Sequence, residues 1–265
     1  MKLLLIFLVV FIASVHAKES ALYSNAALVG MSMDYREYDD NSQILDSEKS
    51  DISQIMGIEL GVSYVLNAVD EDYSQFNFTY TRVTGTTDYV GAYIGSGAGY
   101  GSLTGTTYNT IVDFDVNYMY AMAIRNDFYL LMGAELGYRS WERILSETQV
   151  ERYSWKYLAP TAGIEYRKNS FYLLFDMDYK YAISPIMTAT GINGSFKLAS
   201  ANIFTTSVKA DYQLNSLYSM YIAYVYENQE IKKSNILYDS NGKGFLEPDS
   251  TSNNKYIKFG FTFKY

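Results

Sequence analysis

The sequence predicts an all-β fold: an antiparallel up-and-down β-barrel that crosses a membrane with about ten strands. Three observations carry this expectation. Apolar and polar residues alternate with a period of two along most of the 265-residue chain. The alternating runs reach about ten residues or more, beyond the roughly 5–6 of an ordinary soluble strand and suited to a tilted membrane strand. Finally, the connections between runs alternate between short and long, which suits a barrel with tight turns at one end and loops at the other.

The first residues stand apart from this pattern. Lys2 supplies a positive charge, Leu3 to Ala13 an apolar run, and Val15-His16-Ala17 a small-x-small cleavage site, the three parts of a secretory signal. The apolar run is shorter than the roughly 17–25 residues that a spanning helix needs. Residues 1–17 are therefore expected to be removed on export, leaving 18–265 as one barrel domain. His16 is the only histidine, so the mature domain would have none.

Within that domain the strands are expected near 27–39, 51–65, 72–82, 110–124, 128–143, 151–167, 170–183, 200–214, 217–230 and 255–265. In FYLLFDMDYKY, Phe171, Leu173, Phe175 and Met177 oppose Tyr172, Leu174, Asp176 and Asp178. In TIVDFDVNYMYAMAI, Val112, Phe114, Val116 and Tyr118 oppose Asp113, Asp115 and Asn117. Short turns fall near 66–71, 125–127, 168–169 and 215–216. Long loops fall near 40–50, 83–109, 144–150, 184–199 and 231–253. The glycine-rich stretch from Thr84 to Thr107 reads as a loop carrying a β-hairpin above the membrane; a hidden strand pair there would make twelve strands instead.

Composition narrows the function. Tyrosine dominates the aromatic residues, 28 against 14 Phe and 2 Trp, and suits a surface apolar at one end and wet at the other. A net charge of −8 speaks against nucleic-acid binding. Having no cysteine, the chain can form no disulfide and offer no thiol nucleophile.

The last strand carries a resemblance. Ile257, Phe259, Phe261, Phe263 and Tyr265 share one face, against Tyr256, Lys258, Gly260, Thr262 and Lys264. This segment resembles the C-terminal sorting signal of bacterial outer-membrane β-barrel proteins, an alternating strand closed by an aromatic residue, here Tyr265 rather than the commoner Phe. Together with the export signal it covers the chain in outline, and the strand number resembles that of omptin-sized barrels. The resemblance implies a place in the outer membrane, insertion by the barrel-assembly machinery, and contact with outer-membrane lipid and lipopolysaccharide. The enzyme families among such barrels use a histidine base, which the mature chain would lack.

Turning the apolar faces to lipid sends charges into the lumen, because Arg or Lys facing the bilayer midplane costs about 2–4 kcal/mol. The expected inward set is Asp34, Arg36, Glu59, Asp113, Asp115, Glu135, Glu165, Asp176, Asp178, Lys180, Lys209, Asp211 and Lys258, with Arg139, Arg143, Arg167, Glu227 and Lys264. A barrel of this size is barely wider than its own side chains, so these acids and bases are expected to form a salt-bridged plug. Pairs such as Asp113/Asp115 and Asp176/Asp178 share a strand face, which by itself accounts for their spacing. No EF-hand or phosphate-loop spacing is present, and no metal or cofactor is expected.

The segment GYRSWERILSETQVERYSWKY holds both tryptophans. Folded symmetrically, it would set Trp141 opposite Trp155, Arg139 opposite Tyr157 and Arg143 opposite Tyr153, an arginine–aromatic cluster at the outer mouth that is either a ligand site or a structural cap. On the other face Arg152 and Lys156 are placed to meet lipopolysaccharide phosphates. The expected function is a monomeric, non-enzymatic outer-membrane barrel with a surface-interaction or scaffold role. A narrow channel and a histidine-free enzyme acting on lipid or glycan are the alternatives.

Overall fold

The structure is a computed structural model that describes residues 19–67, 72–92, 99–238 and 242–265; the expected export signal lies outside them. The chain forms β1 (Glu19–Tyr38), β2 (Ile44–Lys49), β3 (Ile55–Asn67), β4 (Tyr73–Gly91), β5 (Leu103–Arg125), β6 (Phe128–Ser146) and β7 (Gln149–Lys168). It continues through β8 (Phe171–Ala189), β9 (Phe196–Gln213), β10 (Tyr218–Ser234), the short hairpin β11 (Leu237–Tyr238) and β12 (Gly244–Phe245), and β13 (Asp249–Lys264). The staves β1, β3 to β10 and β13 pair antiparallel in that order, with β2 and the β11–β12 hairpin outside the count, and β13 returns to pair with β1 from Tyr23↔Lys264 to Tyr38↔Asp249. That seam closes a ring of ten staves. Closure gives each stave of the ring a partner on both sides, the condition for a sheet to stand in lipid.

The staves are long. β5 runs for 23 residues, which at about 3.3 Å per residue and a tilt near 40° spans on the order of 55 Å along the barrel axis. An apolar belt of about 25 Å occupies less than half of that. The belt lies toward the end with the short turns, where outward side chains such as Leu28 (63 % exposed), Met132 (51 %) and Phe261 (54 %) stand clear of the protein. The other half of the barrel rises beyond the belt with a polar outer face.

The stretch from Thr84 to Thr107 belongs to that rise. β4 and β5 stay paired from Thr84↔Thr110 to Gly91↔Leu103, so the hairpin extends two existing staves and the count is ten, not twelve. Other loops shrink in the same way. β6 and β7 pair up to Ser146↔Gln149, and the expected loop 40–50 contains β2, wedged between β1 and β4 above β3. The sequence boundaries fall short because alternation weakens once the outer face meets water and no longer needs apolar residues. In β8 the alternation changes phase at Ser184, whose φ of 50° marks a bulge that turns Met187 inward.

Candidate functional site

Two layers fill the lumen. In the half beyond the belt, Tyr35, Trp141, Tyr153, Trp155 and Tyr157 converge from β1, β6 and β7, none more than 2 % exposed. Trp141 stacks on Tyr153 with ring centroids 5.0 Å apart and meets Tyr35 edge-on at 5.3 Å. Its Nε1 donates to Asn109 Oδ1 at 2.8 Å. Val29, Met31, Met33, Ile55, Ile203 and Ile231 complete an apolar core around the rings. Gly137 makes room for it, since a Cβ there would fall 2.3 Å from Tyr157 Cζ.

Arg143 sits at the centre of this plug, fully buried. Its Nη2 donates to Glu48 Oε1 at 2.7 Å, and its Nη1 to Glu37 Oε1 at 2.9 Å and Glu151 Oε2 at 2.8 Å. The guanidinium also lies 4.4 Å from the Tyr35 ring centroid, a cation–π contact. Glu48 accepts further bonds from Thr87 Oγ1 at 2.6 Å and Asn109 Nδ2 at 3.0 Å. Tyr153 Oη donates at 2.5 Å to Glu247, which the loop after β12 folds over the mouth.

One arginine thus faces several carboxylates, and they titrate differently. Burial pushes Glu37 up to about 7, with the charges of Glu151 and Asp46 adding to it and Arg143 opposing it. Burial likewise raises Asp46 and Glu247. Burial alone would raise Glu48 too, but Arg143 and the Thr87 bond hold its carboxyl below the usual range. In the window from about 4.5 to 7 the folded state binds more protons at Glu37 than the unfolded chain does, so stability falls as pH rises through it. The urea midpoint is therefore expected to be lower at pH 8 than at pH 5, and Glu37→Gln to reduce that slope markedly. An unchanged slope in the variant would show that Glu37 does not titrate in this window.

Below the plug, the expected charges meet around a polar chamber. Arg139 binds Asp113 through Nε and Nη2 (2.7 and 2.8 Å) and Glu227 through Nη1 and Nη2 (2.7 and 2.8 Å). Lys180 pairs with Glu135 at 3.0 Å and Lys258 with Glu59 at 2.5 Å. Asp115 accepts a bond from Tyr157, and Asp176 one from Ser207 Oγ at 2.9 Å. Glu165, fully buried, binds Tyr73 and Arg167, while Lys209 lies 3.8 Å from Asp211. The chamber has a volume of about 330 Å³ and adjoins a vestibule of about 450 Å³ at the turn end; Asn25, Ser63, Gln75, Tyr172 and Lys209 line both.

Several expectations need correction. Asp34 and Arg36 do not enter the lumen: they point outward, 35 % and 39 % exposed, and pair with each other at 3.1 Å. Placing Asp34 and Arg36 inward would turn Met31, Met33 and Tyr35 outward; these instead pack into the plug. The tryptophan hairpin is offset by two residues. Arg139 faces Trp155, Trp141 faces Tyr153, and Arg143 faces Glu151, because a bulge between Ile144 and Ser146 and a two-residue turn set the register. Since the offset is even, all six side chains still face inward, and all but Arg139 belong to the plug or its centre. Arg152 is held by Glu142 at 2.6 Å, whereas Lys156 makes no ion pair among the described residues. Phe259, Phe261 and Tyr265 face outward in the belt, at 45, 54 and 68 % exposure. Sequence reasoning missed Glu37, Glu151 and Glu247, and it read Asp46 and Glu48 as loop residues, where their alternation was the signal of β2.

No protein-family model and no curated protein matches the chain. Solved structures do. The outer membrane protease OmpT from Escherichia coli matches with a TM-score of 0.58 at 12 % identity, over 92 % of this chain and 97 % of that one. The outer membrane protein OprG from Pseudomonas aeruginosa matches at 14 % identity and a TM-score of 0.44, over 94 % and 97 %. The translocator domain of the autotransporter NalP from Neisseria meningitidis matches at 9 % and 0.43, over 98 % and 94 %. The chain has the fold of a bacterial outer-membrane β-barrel, and at these identities the likeness concerns the fold alone.

Proposed function

We propose that this protein is a monomeric, non-enzymatic barrel of the outer membrane, closed toward the cell surface and acting there as a rigid scaffold for surface interactions. The observation that carries the reading is the plug. Five aromatic side chains and Arg143, none more than 2 % exposed, fill the lumen on the long-loop side, where a channel would need water. The loops at that end stand on a stiff ring raised above the belt, the usual placement of recognition on a scaffold. The terminal strand with Phe259, Phe261, Phe263 and Tyr265 is the proposed signal for the assembly machinery. One matched structure is a protease, but the single histidine of this chain is His16, in the expected export signal. This supports the non-enzymatic reading.

Planar-bilayer recording of the refolded protein tests closure, with heat-modifiable gel migration as the control for a folded barrel. A folded, silent protein is expected. Discrete openings in the unaltered chain would replace the scaffold with the narrow channel.

Contact with lipopolysaccharide is proposed through Lys156, with Arg82 and Lys255 at similar height on the outer face, all exposed just above the belt. Added lipopolysaccharide is expected to raise the thermal midpoint of the detergent-solubilised protein. The double variant Lys156→Gln, Arg82→Gln should lose about half of that rise, and an undiminished rise would remove these residues from the contact.

A further inference from the structure

The chamber beneath the plug carries seven acidic side chains against four basic ones. Three of those bases are already held at close range. Arg139 is held by Asp113 and Glu227, Lys180 by Glu135, and Lys258 by Glu59. Lys209 leans 4.2 Å over the Tyr221 ring and lies 3.8 Å from Asp211. Three carboxylates on the same chamber wall are left without a cationic partner at ion-pair distance among the described residues: Asp115, Asp176 and Asp178.

Asp178 is the sharpest of the three. It is 8 % exposed, and its Oδ1 finds no hydrogen bond among the described residues. Neither does Oγ1 of Thr205, its partner across the β8–β9 ladder. A buried carboxylate oxygen without a donor is costly, and the cost is relieved when a cation with N–H groups joins it.

The occupant is not a bare metal ion. Nowhere among the described residues do three acidic ligands converge closely enough to hold one, and Asp176 and Asp178 stand roughly 7 Å apart along their strand. A cavity of about 330 Å³ suits a polyatomic group instead. The wall of the vestibule has the opposite balance, with Arg167 (held by Glu165), Lys209 and Lys264 against Asp211. Because Lys209 lines both spaces, negative chamber and positive vestibule meet at one side chain.

We propose that the chamber binds a small zwitterionic solute, its ammonium group among Asp115, Asp176 and Asp178 and its anionic group toward Lys209 and the vestibule. Entry from the turn end rests on the reading that the plug closes the other end. Such a site makes the barrel an inward-facing receptor or carrier surface for an amine-bearing metabolite of amino-acid size.

Isothermal titration of the refolded full chain with three probes of equal chain length tests this: 5-aminovalerate, cadaverine and valerate. One-to-one binding of 5-aminovalerate is expected, at least tenfold tighter than either of the others. Asp178→Asn should weaken it at least tenfold, and Asp176→Asn serves as the second variant should the first fail the heat-modifiability control. No heat with 5-aminovalerate overturns the proposal, as do equal affinity in both variants or equal binding of valerate. Tighter binding of cadaverine overturns the zwitterion assignment. Bilayer recording of the same preparation separates the two readings. A conducting barrel that binds loses the closed plug and keeps the site; a silent barrel that does not bind loses only the site.

Discussion

Replacing Arg143 with methionine is expected to destabilise the barrel by about 3–5 kcal/mol, the usual cost of leaving buried carboxylates without their partner. The guanidinium satisfies Glu37, Glu48 and Glu151 within 2.9 Å and stacks on Tyr35, with Glu247 one bond away through Tyr153. Methionine matches much of its volume but leaves those carboxylates facing one another. Urea unfolding followed by tryptophan fluorescence is the measurement, since Trp141 and Trp155 both lie in the plug. Adding Glu48→Gln should recover part of the loss, because it removes the carboxylate that Arg143 contacts most closely. A midpoint unchanged by Arg143→Met would mean that the plug is held by its apolar packing alone.

Trp141→Ala is expected to cost about 3–5 kcal/mol as well, and its second effect bears directly on function. Truncation removes the ring that stacks on Tyr153 and abuts Tyr35, and it frees Asn109 Oδ1. The void opens beside Glu37, Glu48 and Glu151, which among the described residues share Arg143 as their base. Bilayer recordings of the folded variant should show discrete, cation-selective openings that the unaltered protein lacks. A folded variant that stays silent would show that the seal extends beyond this one side chain.

The barrel itself was legible because lipid imposes a strict rule on outward residues. The alternation of Ile257 to Tyr265, or of Phe171 to Met177, is continuous for the depth of the belt, and the charges opposite it, from Glu59 to Lys258, are inside as the rule requires. Beyond the belt the rule lapses. Asp34 and Arg36 are exposed to solvent on the outer face, where a charge carries no penalty. Met31, Met33 and Tyr35 are apolar for a different reason, packing against Trp141 and its neighbours, so the same periodicity carries the opposite facing. Register was the other limit. Period-two patterns fix facing but not which residue sits opposite which, and the bulge at Ile144–Ser146 leaves no mark on that pattern. The Arg143 carboxylate cluster was hidden because its members come from three distant stretches, around Glu37 and Glu48, around Arg143 and Glu151, and at Glu247, brought together by the closed barrel.

The seam between β1 and β13 sets a condition on how the molecule comes into being. Ser24 and Tyr265, whose hydroxyls lie 3.1 Å apart, are 241 positions distant along the chain. β1, the first strand of the ring to be made, waits for the last before one of its two edges is covered. Contacts of such separation slow folding, and an uncovered edge invites pairing with other chains. Assembly of this protein is therefore expected to be slow, cooperative and dependent on shielding of the early strands until the final one arrives.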